Sequence, residues 1–463
     1  MGKNKRIAIL SSLVSMLIPI VLTVFFFACK ENLPDVPPQE VDEEEIIVPF
    51  AQVPSLSEMI IYEVNPLAFS ADGSIAELTN RLGHFKELGV NVLWLMPIYP
   101  EGEINGVGSP YCVQDYTNVN PNYGTVEDLS DFVKGAHAKG MAVILDWVAN
   151  HTSWDNEWIS NTDWYVKDAN GNIIIPPGTN WQDVAELNYN NQEMRLEMIK
   201  AMKFWIETCN IDGFRFDAVE FVPQSFWVQA IDSLKSMEGR NLILLAESGK
   251  KENLSAGFQM IYGWDYQPRM KEIFQNKQKA SAITATHKME YANMPAGTHR
   301  LRYITNHDIC GWEESPVTSF QSAKGSVTAF VVTVFMGGVP MIYTGQEVGH
   351  PNTISFFNPN PINWSINPEI LKTYQKVLAV RKAQSPLISG ELKAYDTENV
   401  VSFTHTKGDE TLWVMANVRA TESSYPIPDE FKNSTWKNAL DSTDVAFGSS
   451  IVLDPFEFLI VKK

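Results

Sequence analysis

Cysteine is scarce. Four occur in 463 residues, and their odd distribution past position 29 and wide spacing exclude a disulfide framework and a thiolate metal site. Cys112, Cys209 and Cys310 are expected as buried thiols. Positive charge is also short: 36 Lys and Arg stand against 55 Asp and Glu, a formal net charge of −19. Nucleic acid and anionic lipid select basic surfaces, so neither is an expected partner, whereas a neutral substrate suits this balance. Internal repeats are missing, which excludes a repeat architecture. Low complexity is confined to one short acidic segment, and a hydrophobic run long enough for a bilayer occurs once, at residues 7–28.

That run follows Lys3, Lys5 and Arg6 and ends at Ala28-Cys29, the layout of a secretory signal. It resembles a bacterial lipoprotein signal, in which the cysteine is lipidated and becomes the mature N-terminus, although Phe26 and Phe27 stand where that pattern has smaller or aliphatic residues. An uncleaved membrane anchor is the alternative. Either way the remainder is exported, and the expected location is a membrane-anchored lipoprotein on the periplasmic or cell-surface side of a bacterial envelope. Residues 29–52 contain Pro34, Pro37, Pro38 and the run Asp42-Glu-Glu-Glu45, too polar and broken to pack, and read as a tether.

Beyond the tether the chain is rich enough in apolar residues, 44% overall, for a large core and more than one domain. Short apolar runs at 59–65, 90–96, 141–147, 213–218, 242–247, 259–262, 301–305 and 339–343 alternate with helical patterns such as 75–88, 193–209, 225–237 and 368–382. This spacing predicts βα units around a parallel sheet, with chemistry at the strand C-termini. The polar segment 151–191 after the third run is too long for a plain loop and reads as a small inserted domain. From 389 onward the alternation at 400–405, 411–417 and 451–461 predicts an antiparallel β domain. The expected domains are thus a barrel at 53–150 and 192–388, an insertion at 151–191 and a C-terminal unit at 389–463.

Three carboxylates each end an apolar run: Asp217 in Gly213-Phe-Arg-Phe-Asp217, Glu247 in Leu242-Ile-Leu-Leu-Ala-Glu247, and Asp308 in Tyr303-Ile-Thr-Asn-His-Asp308. Singly, each would be a capping or surface group. Together with Asp146-Trp-Val-Ala-Asn-His151 and Gly338-Val-Pro-Met-Ile-Tyr-Thr-Gly-Gln-Glu347, the ordered set resembles the α-amylase superfamily, glycoside hydrolase family 13. The resemblance implies a (β/α)8 TIM barrel, α/β in class, with a small domain inserted after strand 3 and a C-terminal antiparallel β domain.

It also implies roles. Glycosidic cleavage takes one carboxylate to trap the oxocarbenium-like centre and one carboxylic acid to protonate the departing oxygen. By resemblance Asp217 is the nucleophile, Glu247 the acid/base and Asp308 the acid that binds sugar hydroxyls. Arg215, His151, His307 and Tyr111 correspond to substrate-binding positions, with Arg215 on the strand face of Asp217. Asp146 and Glu347 are expected as supports. The family's calcium site would draw on Asn150 and Glu186, far fewer oxygens than calcium takes. The nucleophile segment departs from the family, running Ala218-Val-Glu220-Phe221 where many members carry a Lys-His pair.

The expected function is retaining, endo-acting cleavage of α-1,4 bonds in starch-type glucans or maltooligosaccharides, with α-glucan as substrate and the membrane reached through Cys29. Transglycosylation, exo-action or α-1,6 specificity stay open. A non-catalytic, membrane-anchored glucan-binding subunit is the reading from another class. Trp154, Trp158, Trp164 and Trp181 are expected to make the insertion one wall of an open groove.

Overall fold

In the computed structural model, which describes residues 47–463, the apolar runs become strands because both of their faces are covered. Ile61–Val64, Val92–Leu95, Ala142–Trp147, Gly213–Phe216, Ile243–Ala246, Met260–Tyr262, His299–Arg302 and Val339–Tyr343 pair in parallel and close into an eight-stranded barrel. Its interior is filled by Ile61, Trp94, Ile144, Leu245, Met260 and Met341 among others, while the alternate residues pack beneath the surrounding helices. The period of two puts Glu63, Asp146 and Arg215 on the interior face as well, above that apolar plug. Gly213 permits the closure: its φ is +142° and a Cβ there would sit 2.0 Å from the Ile243 carbonyl oxygen.

Helices follow the predicted periodicity. Val126–Ala138 buries Leu129, Phe132, Val133 and Ala136, and starts at a capping box between Thr125 and Asp128. The helix expected over 75–88 divides at Arg81, whose ψ of 11° leaves the helical range and whose N–H is shared by the Glu77, Leu78 and Thr79 carbonyls. The last residues of the expected tether are fastened to the barrel: Asn210 donates to the Val48 carbonyl at 2.9 Å, and Phe50 stacks on His137 at 4.1 Å. The signal segment, Cys29 and residues 30–46 lie outside the described residues, among which no helix is long and apolar enough to cross a membrane.

After the third barrel strand the chain leaves to form the insertion, anchored by the antiparallel pair His151–Ser153 and Val184–Glu186. The C-terminal unit has a six-stranded sheet and a two-stranded one around Trp413, Tyr425, Trp436 and Phe447. The strand expected over 451–461 is two, Ser450–Leu453 and Phe458–Lys462, because Asp454-Pro-Phe456 turns the chain with Phe456 at φ +53°. The helix Ala323–Phe335 is buried almost all round, with the barrel on one side and the C-terminal sheet on the other. Thr328 donates to the Phe456 carbonyl at 2.5 Å and His405 to the Phe335 carbonyl at 2.8 Å. Cys112, Cys209 and Cys310 are buried free thiols.

Candidate active site

Strand ends, not local sequence, assemble the site. Asp217 N–H donates to the Trp147 carbonyl and Glu247 N–H to the Phe216 carbonyl, each at 2.9 Å, so the barrel ladder continues through both acids and fixes their height. Arg215, wholly buried, points up the same interior. Its Nη1 lies 2.8 Å from Asp146 Oδ1 and 2.9 Å from Asp217 Oδ1. Its Nη2 lies 2.9 Å from Glu247 Oε1 but off-line for a hydrogen bond. Nε donates to Tyr262 Oη at 3.1 Å. The guanidinium thus bonds the Asp217 carboxylate directly and merely neighbours Glu247.

Burial raises both acids, with Arg215 opposing in each case. Burial pushes Glu247 up to about 7, with the charges of Asp217 and Asp308 adding and Arg215 opposing. Burial also raises Asp217 from its ordinary value, but the direct Arg215 bond pulls it back. Asp146, fully buried, is pushed up to about 6 by desolvation against the pull of Arg215. It accepts from Trp94 Nε1 at 3.1 Å and from Tyr111 Oη at 3.2 Å, which makes it a support for the site, as expected. Ala218 adopts a left-handed conformation, φ 44° and ψ 41°, and its N–H donates to Glu247 Oε2 at 2.7 Å. For a residue with a Cβ that conformation carries strain, here coupled to holding the acid.

The remaining expected residues converge on the same mouth. His307 stacks on Tyr111, ring centroids 5.4 Å apart, and its Nε2 lies 2.8 Å from Tyr111 Oη and 3.4 Å from Asp308 Oδ1. His151 donates from Nε2 to the Tyr111 carbonyl at 3.2 Å, and burial drives its pKa down to about 4, so it is neutral at ordinary pH. Glu347 accepts from Tyr62 at 2.7 Å and His84 at 2.8 Å, away from the acids. The cleft holds about 580 Å³ and is lined by Tyr111, Asp217, Glu247, His307 and Asp308 among others.

Other contributors had no readable signal in sequence. Trp312 stands 65% exposed beside Phe356 and Phe357, on a π-helical turn, Ile309–Glu313. Phe221 and Trp264 also line the cleft, with Trp181 tilted against Phe221 at 5.7 Å. Of the four tryptophans expected to wall the groove, Trp181 does so. Trp158 is buried, and Trp154 and Trp164 pack on the hydrophobic core, because a forty-residue insertion must first fill its own interior. Glu220, at the family's lysine position, meets a lysine from the next loop: Lys250 Nζ lies 2.5 Å from its Oε2, and Ser248 donates to Oε1 at 2.7 Å.

Asn150 and Glu186 are brought to neighbouring backbone, where Leu187 N–H donates to the Asn150 carbonyl at 3.2 Å. Glu186 Oε2 is buried without a partner, but the Asn150 side-chain amide is turned to His151 Nδ1 at 3.3 Å. Among the described residues no group of three or more His, Cys, Asp or Glu could hold a metal ion. One carboxylate and one amide do not make the six to eight oxygens that calcium takes, and no step below is routed through it.

Known proteins agree with this architecture. Alpha-amylase 3 of Dictyoglomus thermophilum is 25% identical over 88% of this chain and 94% of its own length. Oligo-1,6-glucosidase of Bacillus cereus is 22% identical over 88% of this chain and 98% of its own. The crystal structure of an alpha-amylase from Lactobacillus plantarum superposes with a TM-score of 0.80 at 26% identity, covering 88% of this chain and 99% of that one. Residues 64–386 match the family described as alpha amylase, catalytic domain. With barrel, insertion and acids in place, the chain belongs to the alpha-amylase catalytic-domain family and is a glycoside hydrolase.

Proposed function

We propose that the protein is a retaining, endo-acting hydrolase of α-1,4 bonds in starch-type glucans or maltooligosaccharides. The observation that carries this reading is the unequal grip of Arg215: bonded to Asp217, adjacent but unaligned to Glu247, which burial brings to about 7. In the first half-reaction Glu247 gives its proton to the glycosidic oxygen as the C1–O bond breaks, and an Asp217 carboxylate oxygen bonds C1. In the second, Glu247 takes a proton from water, the water oxygen bonds C1, and the C1–O bond to Asp217 breaks. Two inversions return the α configuration. Asp308 and His307 are assigned to sugar hydroxyls and Tyr111 to the reacting ring, a reading supported by their shared place in the cleft lining. The non-catalytic reading drops out, since the chain is an enzyme of this family.

Several aromatic side chains line the cleft, Trp312 and Phe356, Phe221, Trp181 and Trp264, and offer stacking faces for more than one sugar ring. That favours interior cuts. The second reading, exo-acting or α-1,6-specific cleavage or glucosyl transfer, is favoured by the likeness to an oligo-1,6-glucosidase. Product analysis on starch, pullulan, maltooligosaccharides and isomaltose-type substrates separates them. Mixed short maltooligosaccharides of α configuration are expected early; glucose alone from the start, faster isomaltose hydrolysis, or inverted products would refute the endo α-1,4 retaining reading.

A further inference from the structure

Glu63, on the first barrel strand, is fully buried and does not line the cleft. Its Oε1 lies 2.5 Å from His307 Nδ1, and its Oε2 has no protein partner. At the other edge of the ring, His307 Nε2 faces Tyr111 Oη at 2.8 Å. The Tyr111 hydroxyl has one proton and two neighbours that could take it, His307 Nε2 at 2.8 Å and Asp146 Oδ2 at 3.2 Å. The Asp308 carboxylate, 3.4 Å from Nε2, can only accept, which favours hydrogen on Nε2 and leaves the tyrosine proton to Asp146. Burial raises the Glu63 carboxyl, with the charges of His307 and Arg215 opposing; as a carboxylate it accepts from Nδ1. A ring that donates from both nitrogens is an imidazolium.

We propose that Glu63 is a positioning residue of the active site: its buried carboxylate holds His307 doubly protonated, and the two N–H bonds lock the His307–Tyr111 platform beside Asp308. The proposal rests on the glycosidase reading of the cleft and extends it to a side chain outside the cleft.

The surroundings support it from every packed element. Asp308 approaches from the same loop, Glu63 from the first strand, and the Arg215 charge from the fourth. Tyr111 comes from the loop after the second strand. Trp94 and Phe356 present ring edges at 6.2 and 5.5 Å. Around Glu63 itself stand Tyr262, Tyr303, Tyr343 and Cys310, all kept neutral by burial. Burial pulls the imidazole down, but Asp308 and Glu63 overcome both it and Arg215 and push the ring up to about 9. His307 therefore keeps its proton past the pH at which Glu247 loses its own. Without the Glu63 charge only Asp308 opposes burial and Arg215, so the ring's value falls toward that of Glu247.

Glu63→Gln keeps size and a hydrogen-bonding oxygen and removes only the charge. Nitrogen-15 histidine spectra of the full chain, with His307→Gln assigning the signal, are expected to show His307 doubly protonated at about pH 8 in the wild type and predominantly neutral in Glu63→Gln. In Glu63→Gln the basic limb of kcat/KM on a maltooligosaccharide moves down by about one unit, and activity at neutral pH falls about 10- to 100-fold through the loosened platform. In a His307→Gln background the same change costs nothing further, and Glu63→Asp, which keeps the charge, restores the imidazolium signal. A neutral His307 in the wild type, an unmoved basic limb in folded Glu63→Gln, or additive losses in the double variant would overturn the proposal. Should Glu63→Gln not fold, the wild-type spectrum alone decides. Failure of the proposed retaining hydrolysis is distinguishable, since it would appear as a wild type inactive on maltooligosaccharides or as turnover by Asp217→Asn, with the His307 signal unaffected.

Discussion

Replacing Glu247 by Gln should kill activity and stabilise the protein, and the size of the second effect follows from the site. The carboxyl has an ordinary value of 4.5 and is held at about 7 in the fold. Between those values the folded state binds a proton that the unfolded chain has released, so stability falls as pH rises through the window. Each unit is worth about 1.36 kcal/mol, and the gap of roughly two and a half units amounts to about 3 kcal/mol lost by pH 8 and almost none lost at pH 4. The side chain is 16% exposed, so solvent screening removes little of this. Glutamine does not titrate, yet its carbonyl can still accept from Ala218 N–H. Urea denaturation of wild type and Glu247→Gln at about pH 4.5 and pH 8 should therefore give nearly equal stabilities at the lower pH and a variant more stable by about 3 kcal/mol at the higher. Turnover in the variant should drop at least about 10²–10⁴-fold. A difference that is constant with pH, or a variant less stable at pH 8, would refute the account of a carboxyl kept protonated by burial.

Other perturbations test separate links. Gly213→Ala should cost about 3 kcal/mol or more, read as a lowered denaturation midpoint, because a Cβ would meet the Ile243 backbone at 2.0 Å; an unchanged midpoint would contradict the barrel register there. Trp312→Ala should raise KM for maltooligosaccharides about fivefold with kcat nearly unchanged, the loss of about 1 kcal/mol of stacking; an unchanged KM would remove it from the binding surface. Cys29→Ala should release the protein from membranes or leave an unprocessed precursor, checked by fractionation and mass. If it stays membrane-bound and full length, residues 7–28 are a transmembrane anchor instead.

Sequence alone determined the order of elements. Eight apolar runs with helical periods between them leave few ways to bury both faces of every strand, and a parallel barrel is the one formed. It also determined that Asp217 and Glu247 sit at strand tops, since each directly follows a run ended by its last covered apolar residue, whereas Asp308 comes from the loop beyond the strand His299–Arg302, at the start of the turn Ile309–Glu313. Chain breaks were less legible: the division at Arg81 and the turn at Phe456 depend on backbone angles that a hydrophobic pattern does not encode. The tryptophans of the insertion show the same limit. Four indoles within 154–181 look alike in sequence, but only Trp181 turns to the cleft, because the small insertion needs the others for its own core. What the tertiary structure alone decided is the electrostatics of the site. Glu63 and His307 lie 244 positions apart, and Arg215 reaches Asp146 across 69. Such contacts exist only once the barrel closes and removes water from its mouth, and desolvation, which sets the protonation of Glu247, is a property of that closed space rather than of any stretch of chain.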